Sequence, residues 1–166
     1  MSRSGYVDEC DDQWQLIRWR GAVKSAIRGA RGQVVLRELI AALDALPEKR
    51  LAADSLVNEE GQFCTLGALG HARGLDLSAI DPDDRAAVAK AFGIAEAMAA
   101  EIMYENDECA AENYVPMRVE ICGPMRHFDK RFVTHYELNT RSEEQRWRAM
   151  RAWAVSNLLP EPGASR

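Results

Sequence analysis

Between residues 61 and 74 the chain reads Gly-Gln-Phe-Cys-Thr-Leu-Gly-Ala-Leu-Gly-His-Ala-Arg-Gly, and no other stretch constrains the fold as much. A turn glycine leads through Phe63 into Cys64. The spacing then predicts a short helix, with Leu66 and Leu69 as its apolar contacts and Gly74 as a left-handed stop. Glycine weakens a helix interior. Gly67 and Gly70, three apart on one face, therefore imply that another helix or a stretch of backbone comes very close. This is expected to be the most buried junction of the fold.

The flanking sequence reads as helices. Leu16, Trp19, Val23, Ala26 and Ile27 recur at helical spacing and predict a helix over about 12–29. Gly29-Ala-Arg-Gly32 breaks it, and a second helix follows with Leu36, Leu39, Ile40, Leu43 and Leu46 as its stripe, stopped by Pro47. So short a break makes the pair a hairpin or a corner. Residues 51–63 carry no readable period. Asp81-Pro82-Asp83-Asp84 predicts a helix start, with Asp81 as cap and proline at the first helical position. That helix runs to Phe92 and Gly93, and the next takes Ile94, Met98, Ile102 and Met103 inward before stopping near Asn106-Asp107. From 113 to 138 the period changes to two: Met117, Val119 and Ile121, then Phe132, Thr134 and Tyr136, around a turn at Gly123-Pro124. Ser142 and Gln145 form a capping box for a last helix that carries Trp147, Met150, Ala154 and Leu158.

The expected architecture is mainly α: a single-domain bundle of five or six helices over 12–158, with a β-hairpin-like insertion near 113–138. Residues 1–11 and 159–166 are expected to be frayed tails. Leu16, Trp19, Phe63 and Trp147 are placed in the core with the leucines of the second helix. A chain of 166 residues can bury such a core without staples. The four cysteines, Cys10, Cys64, Cys109 and Cys122, never form Cys-x-x-Cys and read as reduced thiols. No apolar run approaches the ~20 residues of a membrane span, and Met-Ser-Arg-Ser-Gly at the start has no apolar segment behind it. The expectation is a soluble, cytoplasmic protein.

Several pieces of the chain resemble a set of small phage and prophage proteins of uncharacterised function. They are Leu16-Ile-Arg-Trp-Arg-Gly-Ala-Val23 with Ser25-Ala-Ile-Arg-Gly29, Cys64-Thr-Leu-Gly-Ala-Leu-Gly with Ala72-Arg-Gly-Leu-Asp76, and Asp81-Pro82. Further along come Phe92-Gly-Ile-Ala95, Glu101-Ile-Met-Tyr-Glu-Asn-Asp-Glu108, Arg146-Trp147 and Arg151-Ala-Trp153. Region 109–140 departs from the group, where the final helix follows sooner. The resemblance implies a viral or prophage origin and expression in the cytoplasm of a bacterial host. It implies no activity, cofactor or catalytic residue.

Four sets of residues are candidates for chemistry or binding. Cys64, at a helix N-terminus, is where a thiolate would be favoured, but His71 lies roughly 10 Å along the axis, too far for a direct pair. A buried, inert thiol is the preferred reading, and a cysteine-dependent hydrolase or transferase the lesser alternative. Asn106 and Asp107 are read as a tertiary polar cap on the Cys64 helix, with the aspartate accepting its N–H groups. Cys109, Cys122, His127 and His135 lack the close pairing of zinc ligands, so neither metal nor cofactor is expected. The last set is cationic. Residues 13–37 hold Arg18, Arg20, Lys24, Arg28, Arg31 and Arg37 and no acid, whereas 51–115 is acidic.

Arg20, Lys24, Arg28 and Arg31 fall at spacings of four, four and three, and are read as one basic face without interleaved aromatics. A net charge of −5 argues against non-specific nucleic-acid binding over the whole surface, but not against a local strip. The leading expectation is a non-enzymatic accessory protein that binds a host or phage macromolecule, most readily a protein, with self-association as another use of the same charges. The alternative is a nucleic-acid binder using that strip together with Arg126, Lys130 and Arg131 from the 113–138 insertion.

Overall fold

Helix α1 (Gln13–Arg28) is opened by Asp12, whose carboxylate accepts the Gln15 N–H at 2.8 Å, satisfying a donor of the first turn. The computed structural model describes residues 3–6, 12–109 and 141–160, together with the backbone of 114–121 and 131–138. Among the described residues the chain is mainly helical, with six α-helices. Gly29 alone interrupts the first two, and α2 (Ala30–Ala45) begins at the next residue. The expected four-residue break is one residue long because Gly32 joins the first turn of α2. A Cβ on Gly32 would stand 2.1 Å from the Ala26 carbonyl oxygen, so only glycine lets the two helix ends pass this closely. Leu36, Leu39 and Leu43 are fully buried along α2.

Leu51, Ala52 and Leu56, from the stretch without a period, are also core residues. Asn58 ties the following turn, its side-chain oxygen accepting the N–H groups of Glu60 and Gln62, and Val57 bridges to Phe63. Then comes α3 (Thr65–Ala72), in which residues 65 to 70 are all buried. A Cβ on Gly67 would lie 1.9 Å from the Leu56 carbonyl oxygen, and one on Gly70 would meet Leu77 and Phe92. The close neighbour of α3 at Gly67 is thus the loop backbone, not a helix. Gly74, at φ 68°, ends the helix, and the Leu75 N–H returns to the Gly70 carbonyl at 2.9 Å.

Helix α4 (Arg85–Phe92) starts later than Asp81-Pro82 suggests: Asp84 is its cap and accepts the Ala87 N–H at 2.9 Å. Asp81 instead accepts from the Asp83 N–H at 3.0 Å, a local turn that competes with helix formation. Helix α5 (Glu96–Met103) runs into a π-helical turn, Tyr104–Glu108. Helix α6 (Glu143–Ser156) carries the Ser142–Gln145 capping box and buries Met150 and Ala154. Four residues expected in the core are only half-buried: Leu16, Trp19, Phe63 and Trp147. The three large rings lay one face on the core and keep a polar or exposed edge. Trp147, for example, sends its N–H to the Leu43 carbonyl at 3.0 Å.

The chain divides into two units, one of residues 1–109 with 142–166 and one of 110–141. In the second, strands β1 (Tyr114–Ile121) and β2 (Arg131–Leu138) pair antiparallel, with Tyr114 opposite Leu138 and Ile121 opposite Arg131.

Residues 3–6 are not frayed. Ser4 is fully buried, its N–H and hydroxyl both donating to the Glu108 carboxylate at 2.9 and 2.8 Å. The Arg85 guanidinium donates to the Ser4 carbonyl at 2.8 Å. Apart from Tyr6, nothing apolar marks this anchorage in the sequence, because hydrogen bonds make most of it. At the other end, Leu159 is held by the Gln33 side chain, which accepts its N–H at 2.7 Å.

Candidate functional site

The π-helical turn gathers polar groups from distant parts of the chain. Asn106 is buried, and its side-chain oxygen accepts the Thr65 N–H at 3.2 Å and the Thr65 hydroxyl at 2.6 Å. Its amide donates to the Ala52 carbonyl at 3.1 Å. The residue accepting from the first turn of α3 is therefore Asn106, where the sequence reading had the aspartate. Asp107 points elsewhere, to the Arg3 guanidinium at 2.7 Å and the Asp54 N–H at 3.1 Å. Burial pushes its carboxyl above the usual range, with the Arg3 charge pulling the other way. Arg146 completes the group: its buried guanidinium donates to the Asn106 carbonyl at 3.0 Å and the Leu51 carbonyl at 2.8 Å. The sequence reading gave neither Arg3 nor Arg146 a role. A lone arginine in an otherwise apolar helix stripe is the signal that could have drawn attention to the second.

Cys64 is the N-cap of α3, and its sulfur accepts the Gly67 N–H at 3.3 Å. It is 3% exposed, and burial pushes the thiol up to about 11. The helix dipole is outweighed by desolvation, so the thiolate that a nucleophile requires does not form near neutrality. His71 is exposed and stacks on Phe63, ring centres 4.7 Å apart. Among the described residues no three His, Cys, Asp or Glu side chains are grouped to hold a metal. Cys122 and His127 lie outside the described residues, and of His135 only the backbone is described.

The surface with binding character is on α1. Only Val23 and Ile27 of this helix are buried, while Arg20, Lys24 and Arg28 are exposed. These three cations border a groove of about 380 Å³ between α1, α5 and α6. Its apolar lining comes from Trp19 and Ile27 of α1, Tyr104 after α5, Trp153 of α6, and Tyr6. Tyr6 packs edge-on to Trp19, centroids 6.0 Å apart, and lies 4.5 Å from the Tyr104 ring. Aromatic rings do accompany the basic strip, contrary to the sequence reading, because three of them arrive from other segments. Arg31, in turn, does not belong to the strip. The break at Gly29 carries it onto α2, beside a different groove near Ile94 and Met98. Arg126 and Lys130 lie outside the described residues, and of Arg131 only the backbone is described.

Two features set the electrostatics of the α1 groove. Among the described residues, carboxylates form salt bridges with Arg3, Arg50, Arg73, Arg148 and Arg151 but with none of Arg20, Lys24 and Arg28. The three cations are exposed to solvent at the groove rim, with Glu101 of the acidic middle in the lining beside them. Glu101, half-buried in the groove lining, has its carboxyl pushed up by burial and by the charge of Glu105, with the Trp19 N–H and Arg20 opposing. That indole N–H lies close enough to Glu101 to affect it, yet is buried without a hydrogen bond of normal geometry.

Comparison of the chain with protein families, curated proteins and solved structures finds no match. No helix among the described residues is long and apolar enough to cross a membrane.

Proposed function

We propose that this protein is a non-enzymatic binding protein that docks a macromolecular partner along α1. The observation that carries this reading is the run Arg20, Lys24, Arg28: exposed, free of carboxylate partners among the described residues, and bordering an aromatic groove. Trp14 and Ile17, 73% and 52% exposed on the first turns of the same helix, add apolar contact area beside the charges. Burial of Cys64 favours a binder over a cysteine-dependent enzyme. The resemblance to small phage and prophage proteins supports a role as a phage accessory protein in the bacterial cytoplasm, where it acts on a host or phage component.

The test is capture from bacterial lysate by the tagged full chain, in parallel with an Arg20→Glu/Lys24→Glu/Arg28→Glu variant whose melting temperature is checked first. A partner retained by the natural chain and lost by the variant is expected. Equal retention by both, or none by either, would overturn the assignment to α1.

A further inference from the structure

We infer that the groove between α1, α5 and α6 is a site for single-stranded nucleic acid, with successive phosphates on Arg20, Lys24 and Arg28 and a base seated against the Trp19 and Tyr104 rings. This rests on α1 being the docking surface and names the chemistry of what docks there.

Three observations converge on it. The first is spacing. Cations at i, i+4 and i+8 of a helix stand about 6 Å apart and span about 12 Å along its axis. One isolated phosphate would meet a single member of that row, whereas a strand presents a phosphate to each. The second is the lining. A charged rim beside aromatic side chains is how proteins hold single strands without reading sequence, because every base has a π-face. A duplex keeps its bases stacked on each other and would leave these rings unused. The third is a carboxyl inside the groove. The Glu101 carboxyl is part of the groove lining and only half-buried there. The edge of cytosine offers an amino group to that carboxylate. An acidic peptide such as poly-glutamate would also satisfy the cations, but would leave the aromatic lining without a stacking partner. The overall charge of −5 limits binding to this strip.

The experiment uses the full chain with fluorescein-labelled oligo-dC of about twelve nucleotides, a length within the site sizes of single-strand binders. Anisotropy and intrinsic tryptophan emission are read together. Expected are binding at low salt, a quench of tryptophan emission, and an affinity for the matching duplex at least tenfold weaker. With three phosphates neutralised, affinity should fall about twentyfold between about 50 and 200 mM salt. An Arg20→Gln/Lys24→Gln/Arg28→Gln variant, altered only at exposed positions, should bind at least tenfold more weakly with unchanged circular dichroism. Glu101→Gln should narrow the preference for oligo-dC over oligo-dT. Absence of binding at low salt overturns the inference, as do equal affinity for duplex, displacement by dCMP as efficient as by the strand, and preferential binding of poly-glutamate. If any of these occurs while α1-dependent capture from nuclease-treated lysate persists, the docking reading stands and only its nucleic-acid form fails.

Discussion

Helices α3 and α1 are opposites. In α3, six of eight residues are buried, glycines admit neighbouring atoms where a methyl would not fit, and the first turn is closed by Cys64 and Asn106. In α1, two of sixteen residues are buried, and most side chains project into solvent. The sequence feature that most invites a chemical reading, a cysteine at a helix N-terminus, thus belongs to a buried region. The plainer amphipathic helix holds the accessible charges and borders the open groove. Burial secures geometry and removes reactivity together, so stability and function separate onto different helices.

Substitutions can break this contrast, and they should differ in size and sign. Asn106→Ala strands the Thr65 N–H and hydroxyl and the Ala52 carbonyl, so a loss of about 3 kcal/mol or more is expected in urea unfolding. A change below about 1 kcal/mol would mean that water replaces the side chain. Gly67→Ala forces a methyl against the Leu56 carbonyl and should cost about 2–3 kcal/mol. Cys64→Ala removes the cap on α3 at about 1 kcal/mol. In the native protein a thiol reagent should label Cys64 only as fast as the protein opens, and immediate labelling would contradict its burial. Gly21→Ala is the mirror of Gly67→Ala. Nothing lies within 4 Å of a Cβ at Gly21, so alanine should raise stability by about 0.5–1 kcal/mol. If the two glycine substitutions shift the melting temperature in the same direction, the distinction between the helices is lost.

The sequence made some of this legible. Periodicity located the helices, and Ser142 with Gln145 marked the start of α6, because caps and apolar stripes are local. Gly67 announced a close approach but not its partner, since Leu56 lies in a stretch without a period. What escaped depends on groups distant in sequence. Arg3 and Ser4 look like a polar tail until Asp107 and Glu108 are placed beside them. Arg146 looks like a surface charge on a stripe of core residues. The candidate groove was half-visible: Arg20, Lys24 and Arg28 share a face by spacing alone, while Tyr6, Tyr104 and Trp153 reach it only through tertiary packing. Arg31 was misplaced because a single glycine, not four residues, turned the chain.

The polar group around Asn106 has a kinetic consequence. Arg3 meets Asp107 across 104 residues, and Arg146 reaches the Leu51 carbonyl across 95. Each bond closes a long loop, and that entropy must be met before the contact gives anything back. The junction between α1 and α2 can form early; the turn at 104–108 waits for both ends. Asn106→Ala is accordingly expected to speed unfolding and to leave the folding limb of a chevron nearly unmoved. A slowed folding limb would place this turn in the nucleus instead. Residues 3 and 146 act as the halves of a clasp that shuts after the helices are laid down, and the lifetime of the folded state, more than the speed of reaching it, hangs on one asparagine.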